Sequence, residues 1–98
     1  MTTSQTFELI VIIFNPNSTG DAPKLAEQLR SRLADLLPYA ADIRLQPTAH
    51  AGHAVDLARE AARSARDVLV VSVSGDGGYN EVVNGVMHSG NPNAVCAV

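Results

Sequence analysis

Two runs of β-branched and other apolar residues set the frame for this chain. FELIVIIFN (residues 7–15) and DVLVVSVS (residues 67–74) stay apolar on consecutive positions instead of alternating with polar ones. A strand of that kind is buried on both faces, and in a short chain this calls for a parallel sheet covered by helices on either side. Parallel strands cannot be joined by tight hairpins, so the sequence between them has to supply crossover helices.

It does. After the first run comes NPNSTGDAP, a loop rich in Asn, Pro, Ser and Gly. Asp21 is placed as an N-cap, and Pro23 falls in the first helical turn, where a missing N–H is tolerated. Leu25, Leu29, Leu33, Leu36 and Leu37 recur at helical spacing and are expected to face the core, with Pro38 ending the helix. ADIRLQP (residues 41–47) alternates like a short, half-buried strand. A second helix opens at Thr48 or His50 and carries a small-residue face of Ala54, Leu57, Ala58, Ala61, Ala62 and Ala65. The second buried run follows, then a glycine loop opening a third helix through GGYNEVVNGVMH, and NAVCAV starts a fourth strand. The order βαβαβαβ with short connections predicts an α/β fold. It is a three-layer α/β/α, Rossmann-like arrangement with a mainly parallel sheet and right-handed crossovers.

Bulk composition narrows the function. Ninety-eight residues hold one domain, and 46% apolar content is enough for a core built on Val, Ile, Leu and Ala rather than on the four aromatic residues. A net charge of −3 gives no basic field for a nucleic acid, so no nucleic-acid partner is expected. Cys96 is the single cysteine, which excludes an intrachain disulfide and fits a reducing compartment. MTTSQTFELI has neither the cationic start nor the long apolar stretch of a signal peptide, and the apolar runs are too short to span a bilayer. The expected setting is cytoplasmic.

Ligands of open parallel sheets bind beyond the carboxyl ends of the strands. Two segments with unusual chemistry leave those ends: NPNSTG after the first strand and SGDGGYN after the third. Glycines at 75, 77 and 78 permit positive φ and close main-chain approach to a ligand, and the N–H groups opening the next helix attract an anion. Asp76 would repel a bare phosphate unless it holds a metal ion or takes a proton from an attacking hydroxyl. Phosphoryl transfer fits that combination, and a tight strand-to-helix turn capped by Asp76 also fits it. Neither the Walker pattern nor the dinucleotide glycine pattern matches.

SGDGGYNEVVNG (residues 74–85) resembles the GGDGTxNEVxNG signature of the diacylglycerol kinase catalytic domain. That lipid-kinase family is shared with sphingosine and ceramide kinases and is related more distantly to NAD kinases and phosphofructokinases. NPNSTG resembles the family's NPxSG loop, and TAHAGHAVDLA (residues 48–58) resembles its T-x(3)-GHA-x(2)-LA segment. The three motifs run in the family's order over residues 15–85, most of the chain.

The resemblance implies an ATP-dependent lipid kinase that uses ATP and Mg²⁺ to phosphorylate a lipid hydroxyl such as that of diacylglycerol. Its partners would be a nucleotide and a lipid met at the membrane surface. It implies that Asn15 and Ser18 line the nucleotide pocket and that Thr48 contacts ATP from the end of the second strand. Gly75, Gly77 and Gly78 would hold the phosphates, with Asp76 the catalytic acidic residue beside the transferred group and its Mg²⁺. Glu81 and Asn84 would orient this turn from the third helix. No protein residue is assigned as a dedicated metal ligand. Three departures stand out: Ser74 replaces the first glycine, Gly78 stands where bacterial diacylglycerol kinases usually carry Thr, and Thr19 precedes Gly20 where the loop motif has Gly directly. The family continues past the fourth strand into a PxGTxND segment and a second, β-rich domain. Residues 1–98 are therefore expected to be the N-terminal, nucleotide-binding part of a longer catalytic domain, inactive as a lipid kinase alone and prone to homo-oligomerise through uncovered sheet edges. The alternatives are an NAD kinase-like enzyme, which shares the GDG element but matches NPxSG and GHA less well, and a non-catalytic nucleotide-binding or regulatory module.

Other reactive side chains carry plainer readings. His50 and His53 have metal-ligand spacing but no third ligand nearby in sequence, so His53 is expected to cap or pack near the pocket. His88 suits the last turn of the third helix, where a cation is favoured. Cys96 is read as a buried, inert thiol. Ser18 and Ser74 lack a local base. Arg59, Arg63 and Arg66 form a solvated helix face, and Tyr79 either stacks on a ligand or packs.

Overall fold

A computed structural model of the chain describes residues 7–17, 21–36, 42–73 and 75–97, with the backbone alone at 75–77. The elements are β1 (Leu9–Phe14), α1 (Ala22–Leu36), β2 (Asp42–Pro47), α2 (His53–Ser64), β3 (Val68–Val73), α3 (Gly75–Ser89) and β4 (Val95–Ala97). The strands lie in the order β2-β1-β3-β4 and every pairing is parallel. This is the three-layer, Rossmann-like α/β/α architecture that the alternation of elements predicts.

The layers follow from β1. Leu9, Val11 and Ile13 point to one side, where they cluster with the alanines of α2, with Val82 and Val86 of α3 and with Val68 and Val70 of β3. Ile10, Ile12 and Phe14 point to the other and meet Ala26, Leu29 and Leu33 of α1. A run buried at all six positions is what a strand between two helical layers requires. β2 is an edge strand and only half-buried, in keeping with its alternating sequence. The Glu8 carboxylate accepts the N–H groups of Arg66 at 3.0 Å and Asp67 at 3.2 Å, which seats the entry to β3 beside the start of β1.

α2 and α3 lie on the same face and touch almost backbone to backbone. Ala54, Ala58, Ala61 and Ala62 give α2 a flat side. Gly85 of α3 lies against it so closely that an added Cβ would collide with the carbonyl oxygen of Val55 and stand 2.8 Å from Cβ of Ala58.

Four expectations need correction. Leu25 and Leu36 of α1 are 51% and 69% exposed, whereas Ala22 and Ala26 carry the buried stripe and Leu29 and Leu33 flank it. Among the described residues α1 is the only helix on its face, so no neighbour covers its flanks. α2 begins at His53 rather than at Thr48 or His50, with Gly52 at φ 82° as its N-cap. Arg66 lies beyond the end of that helix and does not share a helical face with Arg59 and Arg63. The glycines after β3 do not form a separate loop: α3 starts at Gly75, so Gly75, Gly77 and Gly78 belong to its opening turn. Leu37, Pro38 and Ser74 lie outside the described residues.

Candidate functional site

The chain winds outward from the middle of the sheet. α1 leaves β1 toward one face, and α3 leaves β3 toward the other. A crevice therefore opens between the carboxyl ends of these neighbouring strands. On its α2–α3 side lies a cleft of about 380 Å³, lined by Asn15, Asn17, Thr48, Ala49, His50, Ala51, Ala54, Gly78 and Glu81. That volume falls within the range of small-molecule sites, roughly 300–1,000 Å³.

Each wall has a local cause. The Thr48 N–H donates to the carbonyl of Phe14 at 2.9 Å, which ties the segment after β2 to the end of β1. Asn15 follows directly, and its Oδ1 accepts the N–H of Asn17 at 2.9 Å, fixing the first bend of its loop. That contact leaves the Asn15 amide nitrogen as the donor available to the cleft. Residues 48–52, expected to start a helix, instead form a loop on the rim. His53 Nδ1 accepts the Ala49 N–H at 2.9 Å, so the neutral ring carries its proton on Nε2. His50 Nδ1–H donates to the Ala51 carbonyl at 2.9 Å, and the two imidazoles stack with centroids 4.6 Å apart. His53 is thus a cap for its own loop.

The opening turns of α2 and α3 both reach the cleft, through Ala54 and Gly78. At α2 the His53 and Val55 N–H groups already donate to the carbonyls of His50 and Gly52, both at 3.2 Å, which leaves Ala54 as the donor facing the cleft. The first N–H groups of α3 have no partners within their own helix and, with its partial positive charge, suit an anion. Among the described residues, those lining the cleft include no lysine or arginine, and Glu81 is the one carboxylate. Among the described residues no three His, Cys, Asp or Glu side chains converge on a point where a metal could sit.

Of the residues singled out in the sequence, Asn15, Thr48, Gly78 and Glu81 come together here. Gly75, Asp76 and Gly77 form the turn preceding Gly78. Asn84 is exposed further along α3 and does not line the cleft. Ser18 lies outside the described residues, as do Thr19 and Gly20. The sequence does not single out Asn17, Ala49, Ala51 and Ala54 as cleft residues, and it offers His50 as a helix opener or a metal ligand. The signal for the first three was their position inside the loop motifs, between residues already chosen.

A family model, the diacylglycerol kinase catalytic domain, matches residues 9–98. The chain belongs to that family. Two solved structures share the family's fold with it. One is a Bacillus anthracis str. Sterne protein provisionally named a diacylglycerol kinase: 25% identical, TM-score 0.71, covering 98% of this chain and 34% of that one. A second, titled a diacylglycerol kinase from the same organism, is 28% identical with a TM-score of 0.62 and covers 84% of this chain and 29% of that one. The chain thus spans about a third of the diacylglycerol kinase chains it resembles. No curated protein matches it. Among the described residues no helix is long and apolar enough to cross a membrane.

Proposed function

We propose that this chain is the nucleotide-binding part of an ATP-dependent lipid kinase, holding Mg-ATP for transfer of its γ-phosphoryl group to a lipid hydroxyl such as that of diacylglycerol. One observation carries the reading. Residues from three separate sequence motifs, Asn15 from the first, Thr48 from the second, Gly78 and Glu81 from the third, line one cleft at the carboxyl ends of the strands.

The donor set fits a nucleotide that arrives with magnesium. With no cationic side chain among its described lining residues, the cleft binds phosphate through backbone N–H groups, chiefly those at the opening of α3. The Glu81 carboxylate repels a bare polyphosphate and favours one whose charge a divalent cation has reduced. Magnesium is commonly held by one or two carboxylates together with substrate phosphates, and Glu81, with Asp76 in the adjoining turn, meets that need. When bound, the ion neutralises charge that develops on the transferred group. Asn15 and Thr48 orient the nucleotide by hydrogen bonding. Asp76 is our assignment for the acidic residue beside the reacting phosphate, as a base toward the lipid hydroxyl or as a metal partner. The lipid site, activity on lipid and any self-association belong to the proposal for the whole protein, which works as a peripheral enzyme at the cytoplasmic membrane surface.

The test is an amide-resolved NMR titration of the chain with Mg-ADP, repeated on Asp76→Asn. Shifts centred on residues 15–20, 48–54 and 75–81 are expected. Shifts scattered elsewhere, or none at millimolar nucleotide, would overturn the reading.

A further inference from the structure

Among the described residues Ser72 is the buried polar side chain of the core, 3% exposed, and its hydroxyl has no hydrogen-bond partner there. A serine on a central strand is an odd choice there, since valine or alanine would fill the position without stranding a hydroxyl. Its location gives the oddity a meaning. Ser72 pairs with Ile13 of β1 and shares the sheet face of Val68 and Val70, the face covered by α2 and α3. α3 returns along β3, and its Val86 and Val82 join the same cluster as those two valines. Four helical residues rise about 6 Å and two strand residues about 6.6 Å, so the helix and the strand advance nearly in step. Continuing from Val86 and Val82 to Gly78 on the helix corresponds to continuing from Val68 and Val70 to Ser72 on the strand. The register therefore places Ser72 beside the opening turn of α3, at a position where Gly78 interposes no side chain. That turn carries backbone N–H groups without partners in their own helix.

We infer that Ser72 is a positioning residue for this turn: its hydroxyl becomes the internal hydrogen-bond partner of the α3 opening when an anionic group sits on the turn's outer side. In the free protein the hydroxyl is held in reserve. With the anion bound, it accepts an N–H that the anion does not use and fixes the angle of the others. The inference rests on the proposal that the cleft binds a nucleotide.

The experiment measures Mg-ADP affinity by calorimetry and thermal stability without ligand for the chain and for its Ser72→Ala and Ser72→Thr variants. Ser72→Ala is expected to melt at or above the wild-type temperature, because the free protein has no bond to lose there, while binding Mg-ADP about five- to tenfold more weakly. Ser72→Thr, which keeps the hydroxyl, is expected to restore most of the affinity. Equal affinity of wild type and Ser72→Ala would overturn this inference alone. A lower melting temperature for ligand-free Ser72→Ala would also overturn it, by showing that the hydroxyl is already bonded. No binding to the wild type would remove the nucleotide reading and this inference with it.

Discussion

The side-chain amide of Asn91, in the turn after α3, donates to the carbonyl oxygen of Ala62 in α2 at 2.8 Å. The same nitrogen lies 3.0 Å from the Ala65 carbonyl and 2.9 Å from that of Arg66, so it serves the carbonyl groups that the end of α2 leaves unpaired. Its Oδ1 accepts the Asn93 N–H at 2.9 Å and shapes the approach to β4. Asn91→Ala is expected to destabilise the chain by about 1–2 kcal/mol. Asn91→Asp, which replaces the donor by an acceptor facing carbonyl oxygens, should be the worse of the two. Urea unfolding of both variants checks the size and the order.

Gly85→Ala should destabilise the chain although alanine is the better helix former by about 1 kcal/mol. The new methyl has nowhere to go, because the Val55 carbonyl and Ala58 already occupy the space. Overpacking of this kind costs about 1–3 kcal/mol, which outweighs the propensity gain. Gly52→Ala makes a useful contrast: nothing lies within 4 Å of an added Cβ, and the penalty arises from its φ of 82° alone. Melting temperatures should fall for both, and Ala58→Gly should not rescue Gly85→Ala, because the collision with the Val55 backbone carbonyl remains.

Nucleotide binding should depend on magnesium, and less strongly so when Glu81 becomes Gln and Asp76 remains. The wild-type cleft is expected to bind ADP about tenfold more weakly once the metal is chelated. In Glu81→Gln the difference between the ADP affinities with and without metal should shrink. Calorimetric titrations of the two proteins, each with and without chelator, give the four numbers needed. Unchanged metal dependence in the variant would assign the ion to other groups.

Cys96 is half-buried in β4 rather than fully buried as its sequence suggested, and that partial burial pushes its thiol up from the ordinary value. The folded state therefore holds its proton to a higher pH than the unfolded state does. Stability from this group is complete below the unfolded thiol's pKa and is lost as pH rises through the folded one. Unfolding free energy should decline across the alkaline range in the wild type and less in Cys96→Ala. Alkylation of Cys96 at pH 8 should be slower than that of a free cysteine.

The sheet was legible because its strands had no alternative. Six consecutive apolar residues from Leu9 to Phe14 exclude a surface element, and the alanines from 54 to 62 match the flat side of a helix lying on a neighbour. The gathering of Asn15, Thr48 and Glu81 was legible through resemblance rather than through periodicity, since they are far apart in sequence and share no pattern. Three details could not be read. Leu25 and Leu36 look like core residues because helical spacing records where apolar residues point, while exposure depends on whether a second helix lies alongside. The start of α2 was misplaced because Gly52 takes a left-handed cap, and glycine is silent about which of its many conformations it will adopt. The Asn91 clamp joins positions more than twenty residues apart, and a single Asn in a turn looks like any other.

The contact at Gly85 bears on how tightly a ligand can be held. Two helices pressed together at their backbones cannot slide or tilt separately, so the ends they present at Ala54 and Gly78 keep a fixed spacing whether or not anything lies between them. An anion at those ends then meets two helices whose spacing was set when the chain folded, with only the N–H groups of the α3 opening left to adjust. Little freedom remains to be lost on binding, and more of the gross attraction survives as affinity.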